Sequence, residues 1–396
     1  MPIPTPFHSR TSAVSPSQNG KDWAGYFAAW TYDTSQDSEY FALRHSAGLI
    51  DVSPLYKYEV KGPDAAAFLS RVTVKNVHKL KVGRVTYLCW CDDDGMVVDD
   101  GTVSRLDENR FRVTAADPAL SGVDRLRRGY DVTIEDSSAK IATLSLQGPN
   151  SREILRQVAE TDMDALKFFA TTRCKLGGKT VWISRTGYTG DLGYEVWVAN
   201  RDAENVWDSL VGAGQEYALL PAGLDAMDVT RIEAGFIMNG VDYYSANHCL
   251  TDERKNSPYE IGLGWTEQLD REPFIGQAAL RREKDEGSRR TLVGLDVDWA
   301  EIEAVFDRYG LPPELPAHAW RDGRPIYDQN HDWIGQATSG VWSPTLKKNL
   351  ALAQIDSDHA DVGSKVQFEI TAEYHRHTVT ATVTQTPFFN PPRKRS

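Results

Sequence analysis

The sequence predicts a chain of two or three domains in which helices and strands mix over residues 1–280 and then give way to a small β-barrel or sandwich. Three observations carry this. The 396 residues exceed what one ordinary hydrophobic core accommodates. Helix-period and strand-period stretches alternate up to a charged run, Arg281–Arg290, which we read as a domain boundary. Beyond it helix signals are weak and short strand-like runs dominate.

The elements follow in order. An aromatic-rich segment, Trp23 to Tyr32, precedes a helical pattern over Glu39–His45 that stops near Gly48, since glycine commonly ends helices. Tyr56–Lys61 alternates as a strand, and Pro63-Asp64 opens a short helix through Phe68 and Leu69. Thr86–Cys91, Met96–Arg105 and Arg110–Ala115 read as strands joined by turns at Asp92–Gly95 and Asp107-Glu108-Asn109. Ile141–Gln147 is a strand closed by Gly148-Pro149, with a helix from Ser151. Lys175–Arg185 forms a hairpin around Gly177-Gly178, and amphipathic helices follow at Ala203–Gly212 and Gly223–Gly235. The late strands are Thr291–Val297, Ile334–Thr338, Leu350–Ile355, Val366–Ile370 and Thr378–Thr384. The basic tail Pro391–Ser396 is expected to fray.

Composition excludes several classes. A hydrophobic fraction of 41% and a charged fraction of 25% suit a globular enzyme. A net charge of -12 argues against general nucleic-acid binding, because nothing broad would neutralise phosphates. No apolar run approaches a membrane span, and the Ser/Thr/Pro-rich start lacks the pattern of a secretory signal. Cys89 and Cys91 lack the second pair of a zinc site and read as small buried thiols. A cytoplasmic location is the expectation, with no metal.

Two segments carry candidate chemistry. In Asp92-Asp93-Asp94-Gly95-Met96-Val97-Val98-Asp99-Asp100 the last two acids end a strand and face opposite sides. A carboxylate held there accepts a hydrogen bond from an amine or orients a cation. Taken alone, the segment reads as a solvated acidic hairpin. In Arg185-Thr186-Gly187-Tyr188-Thr189-Gly190-Asp191-Leu192-Gly193-Tyr194-Glu195 three glycines let backbone approach a ligand. The spacing fits neither a phosphate loop nor a dinucleotide fingerprint. Glu195 re-enters an apolar strand, where a carboxylate can accept two parallel bonds from an amidine-like edge. By itself it reads equally as an exposed strand-start residue.

These segments resemble the glycine cleavage T-protein family. GMVVDDGTV resembles its GGxxDD segment, and RTGYTGDLGYE its TGYTGExGYE segment. Leu146-Gln147-Gly148-Pro149, Arg231-Ile232-Glu233-Ala234-Gly235 and Ser339-Gly340-Val341-Trp342-Ser343-Pro344-Thr345 match further family motifs, as do Thr5-Pro6-Phe7 and Ile50-Asp51-Val52-Ser53. The matches keep their order over nearly the whole chain.

The resemblance implies an α+β fold of three domains around a central folate channel, ending in a β-barrel. It implies a first domain of 1–54 with 142–250, a second of 55–141 with 251–288, and a barrel of 289–396. It implies a one-carbon transferase with tetrahydrofolate as cofactor. Asp99 matches the acid near the transfer centre, Glu195 the residue that grips the pterin, and Tyr87 a tyrosine on the strand before the acid. Tyr188 falls in the loop beside the pterin, and Trp90, one of the aromatics with Trp23, Tyr26, Trp30 and Tyr32, is counted with the cofactor-binding residues.

One departure changes the expected donor. The family helix begins Gly-Leu-x-Ala-Arg-Asp, whereas here Gly223-Leu224-Asp225-Ala226-Met227-Asp228 puts Met227 at the arginine's position. The segment Tyr243–Asn256, with His248, also lacks a match. Both changes resemble a branch that demethylates small donors, such as dimethylsulfoniopropionate demethylase. The expectation is therefore methyl transfer from a small onium or amine donor, held by aromatic faces at Trp23, Tyr26 and Trp30 with Met227 and His248. Singly, most such aromatics read as core residues. The alternatives are aminomethyl transfer from a lipoyl carrier protein, and a non-catalytic folate-binding protein like the iron–sulfur assembly factor of this fold. That factor has a cysteine in its glycine-rich loop, which Gly187-Tyr188-Thr189-Gly190 lacks.

Overall fold

The computed structural model describes residues 1–118, 120–313, 315 and 318–396. Alternating apolar residues build two sheets from the first two-thirds of the chain. In one, the strands lie in the order Thr171–Leu176, Lys179–Ser184, Gly193–Ala199, Ile141–Gln147, Ala47–Asp51 and Leu219–Pro221. Only the last pair is parallel. The helices Ser151–Val158 and Ala203–Gly214 bury Ile154, Leu155, Val206 and Leu210 in the core of this sheet. The first hairpin turns at Gly177 and Gly178, both at positive φ, as a two-residue turn between twisted strands requires.

The second sheet is antiparallel throughout, in the order Val85–Cys91, Val97–Asp107, Arg110–Ala115, Tyr56–Lys61 and Thr133–Asp136. The helix Ala65–Val72 seats Phe68, Leu69 and Val72 in its core. Strands Arg290–Val297, Lys348–Asp356, Trp333–Ser343, Arg324–Tyr327, Lys365–Ala372 and His375–Thr384 close into a barrel. Among the described residues no helix is long and apolar enough to cross a membrane.

The helix Leu224–Glu233 lies at the centre, with all ten residues buried. Its last residue joins three parts of the chain. Glu233 accepts from Arg44 Nε at 2.8 Å, from Tyr40 Oη at 2.6 Å and from the Ser343 hydroxyl of the barrel. Arg44 is fully buried and also donates to the carbonyls of Thr189 and Thr230.

Three expectations are corrected. The helix expected over Glu39–His45 runs over Asp37–His45 and stops at Ser46, so Gly48 lies inside a strand. A side chain at Gly48 would run into Leu43, and close packing explains the glycine. The charged run Arg281–Arg290, read only as a boundary, begins inside the helix Gln277–Glu286, which stops at Gly287. Trp299–Asp307 is a further helix that the strand-like reading missed. Asp298 caps it by accepting from the Glu301 N–H, a signal present in the sequence as an acid three residues before a glutamate. The basic tail is docked: Arg393 makes a two-pronged pair with Asp191 at 2.7 Å, and Arg152 and Arg185 donate to the Ser396 carbonyl.

Replacing Arg44 by Met should therefore destabilise the fold by about 3 to 5 kcal/mol, because Glu233 would remain as a buried charge without its partner. Urea unfolding measures this; a loss under about 1 kcal/mol would mean that water or a neighbouring cation replaces the guanidinium.

Candidate active site

Register decides which side chains meet. The strands Val85–Cys91 and Val97–Asp107 pair Trp90 with Asp99 and Cys89 with Asp100. Directly opposed residues share a face, so Tyr87, Cys89 and Asp100 lie on one side and Leu88, Trp90 and Asp99 on the other. Trp90 is accordingly packed in the core of its own sheet with Val60, Phe68 and Phe111. It lies on the face opposite Tyr87. Cys89 and Cys91 are buried free thiols in the neighbouring cluster.

The two acids divide their roles. Asp99 is fully buried. Its Oδ1 accepts from the Asp100 N–H and from Asn239 Nδ2, both at 2.9 Å. Its Oδ2 accepts from the N–H groups of Ala116 and Asp117 at 3.1 and 3.0 Å. A carboxylate offers about four acceptor positions, so Asp99 is saturated. Asp100 accepts one bond per oxygen, from Tyr87 Oη at 2.5 Å and from Tyr243 Oη, and retains acceptor capacity on both. Tyr87, on the strand before the acids, thus meets Asp100.

Asn239 and Tyr243 come from the segment after the central helix. Asn239 Nδ2 also donates to Asp117 Oδ2 at 3.1 Å, and His248 Nε2 lies 3.6 Å from that oxygen. The segment expected to be an insertion is anchored at both ends on one residue: Ala246 N–H donates to the Val97 carbonyl, and Val97 N–H to that of Asn256. His248 is thus brought beside the acids, with its side chain mostly exposed. Sequence reasoning missed Asn239, Tyr243 and Asp117 as site residues because no local motif links them to Asp99.

Burial and the neighbouring charge of Asp100 push Asp99 up to about 7, against the lowering effect of its N–H donors. Burial also raises Asp100, opposed by the two tyrosine hydroxyls. Glu195 lies on the strand Gly193–Ala199 opposite Ser184 and Ser145. Its Oε2 accepts from Thr186 Oγ1 at 2.5 Å and Ser184 Oγ at 3.4 Å, while Oε1 has no donor among the described residues. Burial raises its proton affinity and the hydroxyls lower it. Tyr188 stacks on Phe236 with centroids 5.6 Å apart and donates to the Ile237 carbonyl.

Met227 is buried in a separate cluster with Ile50, Leu224 and Val341, against which Trp23, Trp30 and Tyr188 pack. Tyr26 pairs with Trp23 across the hairpin Gly20–Trp23/Tyr26–Ala29. The face expected to receive a cationic donor already meets the chain's own cations: Lys21 Nζ lies 4.7 Å from the Trp30 ring and the Arg321 guanidinium 5.9 Å. Trp23, Trp30 and Met227 are brought together, in a cluster other than the one holding the acid pair.

The raised proton affinity of Asp99 has a stability consequence. Above the pH at which an unfolded aspartate ionises, roughly 4, the unfolded chain releases a proton that folded Asp99 keeps, so stability falls as pH rises toward about 7. Unfolding at pH 5 and pH 8 should show that fall in the native chain and a smaller one in Asp99→Asn. Equal slopes would show that Asp99 ionises at the same pH in both states.

Residues 5–271 match the family model of the GCVT N-terminal domain, and residues 308–390 that of the glycine cleavage T-protein C-terminal barrel domain. The chain is 37% identical to the aminomethyltransferase of Halothermothrix orenii, over 90% of this chain and 92% of that one. It is 36% identical to the aminomethyltransferase of Bacillus subtilis, over 92% and 94%. The crystal structure of glycine cleavage system aminomethyltransferase T from Bartonella henselae superposes with a TM-score of 0.83, at 22% identity over 98% of this chain and 99% of that one, a likeness of fold. The chain belongs to the glycine cleavage T-protein family, and is a one-carbon transferase with tetrahydrofolate as its cofactor.

Proposed function

We propose that the chain moves a one-carbon unit from an aminomethyl group on a lipoyl carrier protein to tetrahydrofolate. The observation that carries it is an acid cluster without its own cation. Among the described residues no lysine or arginine pairs with Asp99, Asp100 or Asp117, and only His248 approaches. A protonated amine on the donor supplies the missing charge and fills the open acceptor positions of Asp100. The relatives named aminomethyltransferase, alike over nine-tenths of both chains, support the same reading.

The residues fit the cofactor. Glu195, with Oε1 free and Oε2 steadied by Thr186, suits the amidine-like edge of a pterin, and Tyr188 and Tyr87 line the approach. When bound, tetrahydrofolate supplies the nitrogen that accepts the one-carbon unit. The chain's own part is to hold the donor's charge at Asp100, keep Asp99 fixed behind it, and align the two reactants. Sheet membership supports a division into 1–54 with 142–250, 55–141 with 251–288, and 289–396.

A second reading, demethylation of a small onium donor, is favoured by Met227, which removes a fixed cation and leaves a thioether among Trp23 and Trp30. Either donor is cationic, so the acid cluster serves both.

Two experiments check this. Calorimetry on Glu195→Gln should show tetrahydrofolate binding weakened by about 2 to 4 kcal/mol, the loss of charge-assisted bonds. Unchanged affinity would remove Glu195 from the pterin site. An assay should offer aminomethylated lipoyl carrier protein in parallel with small methylated onium compounds and amines, reading whether the folate product is at the methylene or the methyl level. The carrier protein should turn over, and Asp100→Asn should slow it about 100-fold or more. Turnover of a small donor alone would move the chain to the demethylase reading, and no turnover of either would leave a folate-binding protein.

A further inference from the structure

The segment from Phe236 to Tyr243 is held more firmly than a connection needs to be. Buried Arg231 donates to the Phe236 carbonyl at 3.1 Å and to the Asp242 carboxylate. The Met238 N–H closes onto the same Asp242 oxygen at 2.9 Å. The other oxygen of Asp242 takes the hydroxyls of Thr338 and Ser339 from the barrel at 2.5 and 2.6 Å. Asp228 steadies the far side of Arg231 through Nε at 2.7 Å, and Arg321 steadies Asp228 at 2.8 Å. Between these anchors the chain turns at Gly240, whose φ is +80°. The two side chains delivered at the turn, Asn239 and Tyr243, both end on the acid pair.

Their contacts are asymmetric. Tyr243 is 1% exposed, donates to Asp100 Oδ1 and stands 3.4 Å from Asp99 Oδ1. Asn239 ties Asp99 to Asp117. We infer that Tyr243 and Asn239 are positioning residues for the transfer reaction, clamping the adjacent carboxylates so that Asp100 presents an ionised, singly occupied oxygen pair to the donor. The Arg231–Asp242 ion pair is the fixed mount for both. The inference rests on the one-carbon reading for its catalytic consequence, but the clamp itself acts in the free protein.

The groups that face the pair are few. Asp99 and Asp100 share a strand; Tyr87 and Cys89 come from the strand beside it, Asp117 from the end of Arg110–Ala115, and Tyr243 from the clamp. Among the described residues His248 pairs with Asp117, and Tyr188 is near enough to Tyr87 to act on it electrostatically. Asp242 and Arg231 neutralise each other behind Tyr243. Removing the Tyr243 hydroxyl withdraws a bond to the ionised form, so the pair must keep its proton to higher pH.

The test is a titration of the aspartate carboxylates by 13C NMR in the whole, donor-free protein, followed by the pH profile of turnover. In Tyr243→Phe the carboxylate titration and the acid limb of kcat should both move up by about one pH unit, with KM for tetrahydrofolate unchanged. Asn239→Ala should move the Asp99 step upward while the chain stays folded, and it serves as the readout if Tyr243→Phe does not fold. Unmoved titrations overturn the inference, as does a titration that moves while the acid limb of a working enzyme stays in place. A shifted titration in a protein that turns over no donor keeps the clamp and refutes the proposed function instead.

Discussion

The structure depends on charges that have nowhere to go but to each other. The helix Leu224–Glu233 exposes none of its ten residues, yet it carries Asp225, Asp228, Arg231 and Glu233. A buried charge without a partner costs several kcal/mol, so each must find one from another part of the chain. Glu233 takes Arg44 from the helix Asp37–His45 and Ser343 from the barrel. Arg231 takes Asp242, which takes two barrel hydroxyls. Apolar packing would tolerate small slips between the sheets and the barrel, whereas these directional bonds do not. The helix end thus sets how the barrel sits on the first sheet and where the segment bearing Asn239 and Tyr243 lies.

The acid pair shows the same economy at shorter range. The charge of Asp100 raises the proton affinity of Asp99, and two carboxylates held on the order of 6 Å apart at an effective dielectric near 20 would repel by roughly 3 kcal/mol, equivalent to about two pH units. The fold answers with hydrogen bonds instead of cations: four N–H donors to Asp99 and two hydroxyls to Asp100. Asp99 is left near neutrality in its proton affinity, where a small change in surroundings alters its charge. A lysine at the same place would have quenched the pair and removed its attraction for a cationic donor.

Met227 illustrates how a local change is read differently at the two levels. In the sequence it is the loss of a cation from a helix. In the fold, two cations return to the same cluster from elsewhere: Lys21 from the N-terminal hairpin and Arg321 from just before the barrel strand Arg324–Tyr327, both over Trp30. Burial and the nearby Arg321 lower the proton affinity of Lys21, so these cations are themselves strained by proximity. The charge balance around the helix belongs to three segments and cannot be assigned from one.

Much was legible from residue order. Period and turn residues predicted most strands of both sheets and the barrel, because alternation and Gly-Gly or Asp-rich turns are local, but not the strands Ala47–Asp51, Thr133–Asp136, Leu219–Pro221 and Arg324–Tyr327. The adjacent acids, the glycine-rich loop and Glu195 were likewise visible, since each sits in a contiguous motif. The helix Trp299–Asp307 was missed although its Asp298 cap and the helical spacing of Trp299, Ile302, Val305 and Phe306 are both in the sequence, and the tail was misread because its partner, Asp191, is two hundred residues away. The sequence by itself determined that Asp99 and Asp100 face opposite ways, since that follows from the pleat of any strand. Which of them has open oxygens was decided only by tertiary structure: strand register puts Tyr87 with Asp100, and the segment mounted on Arg231 and Asp242 brings Tyr243 and Asn239 across to complete the pair.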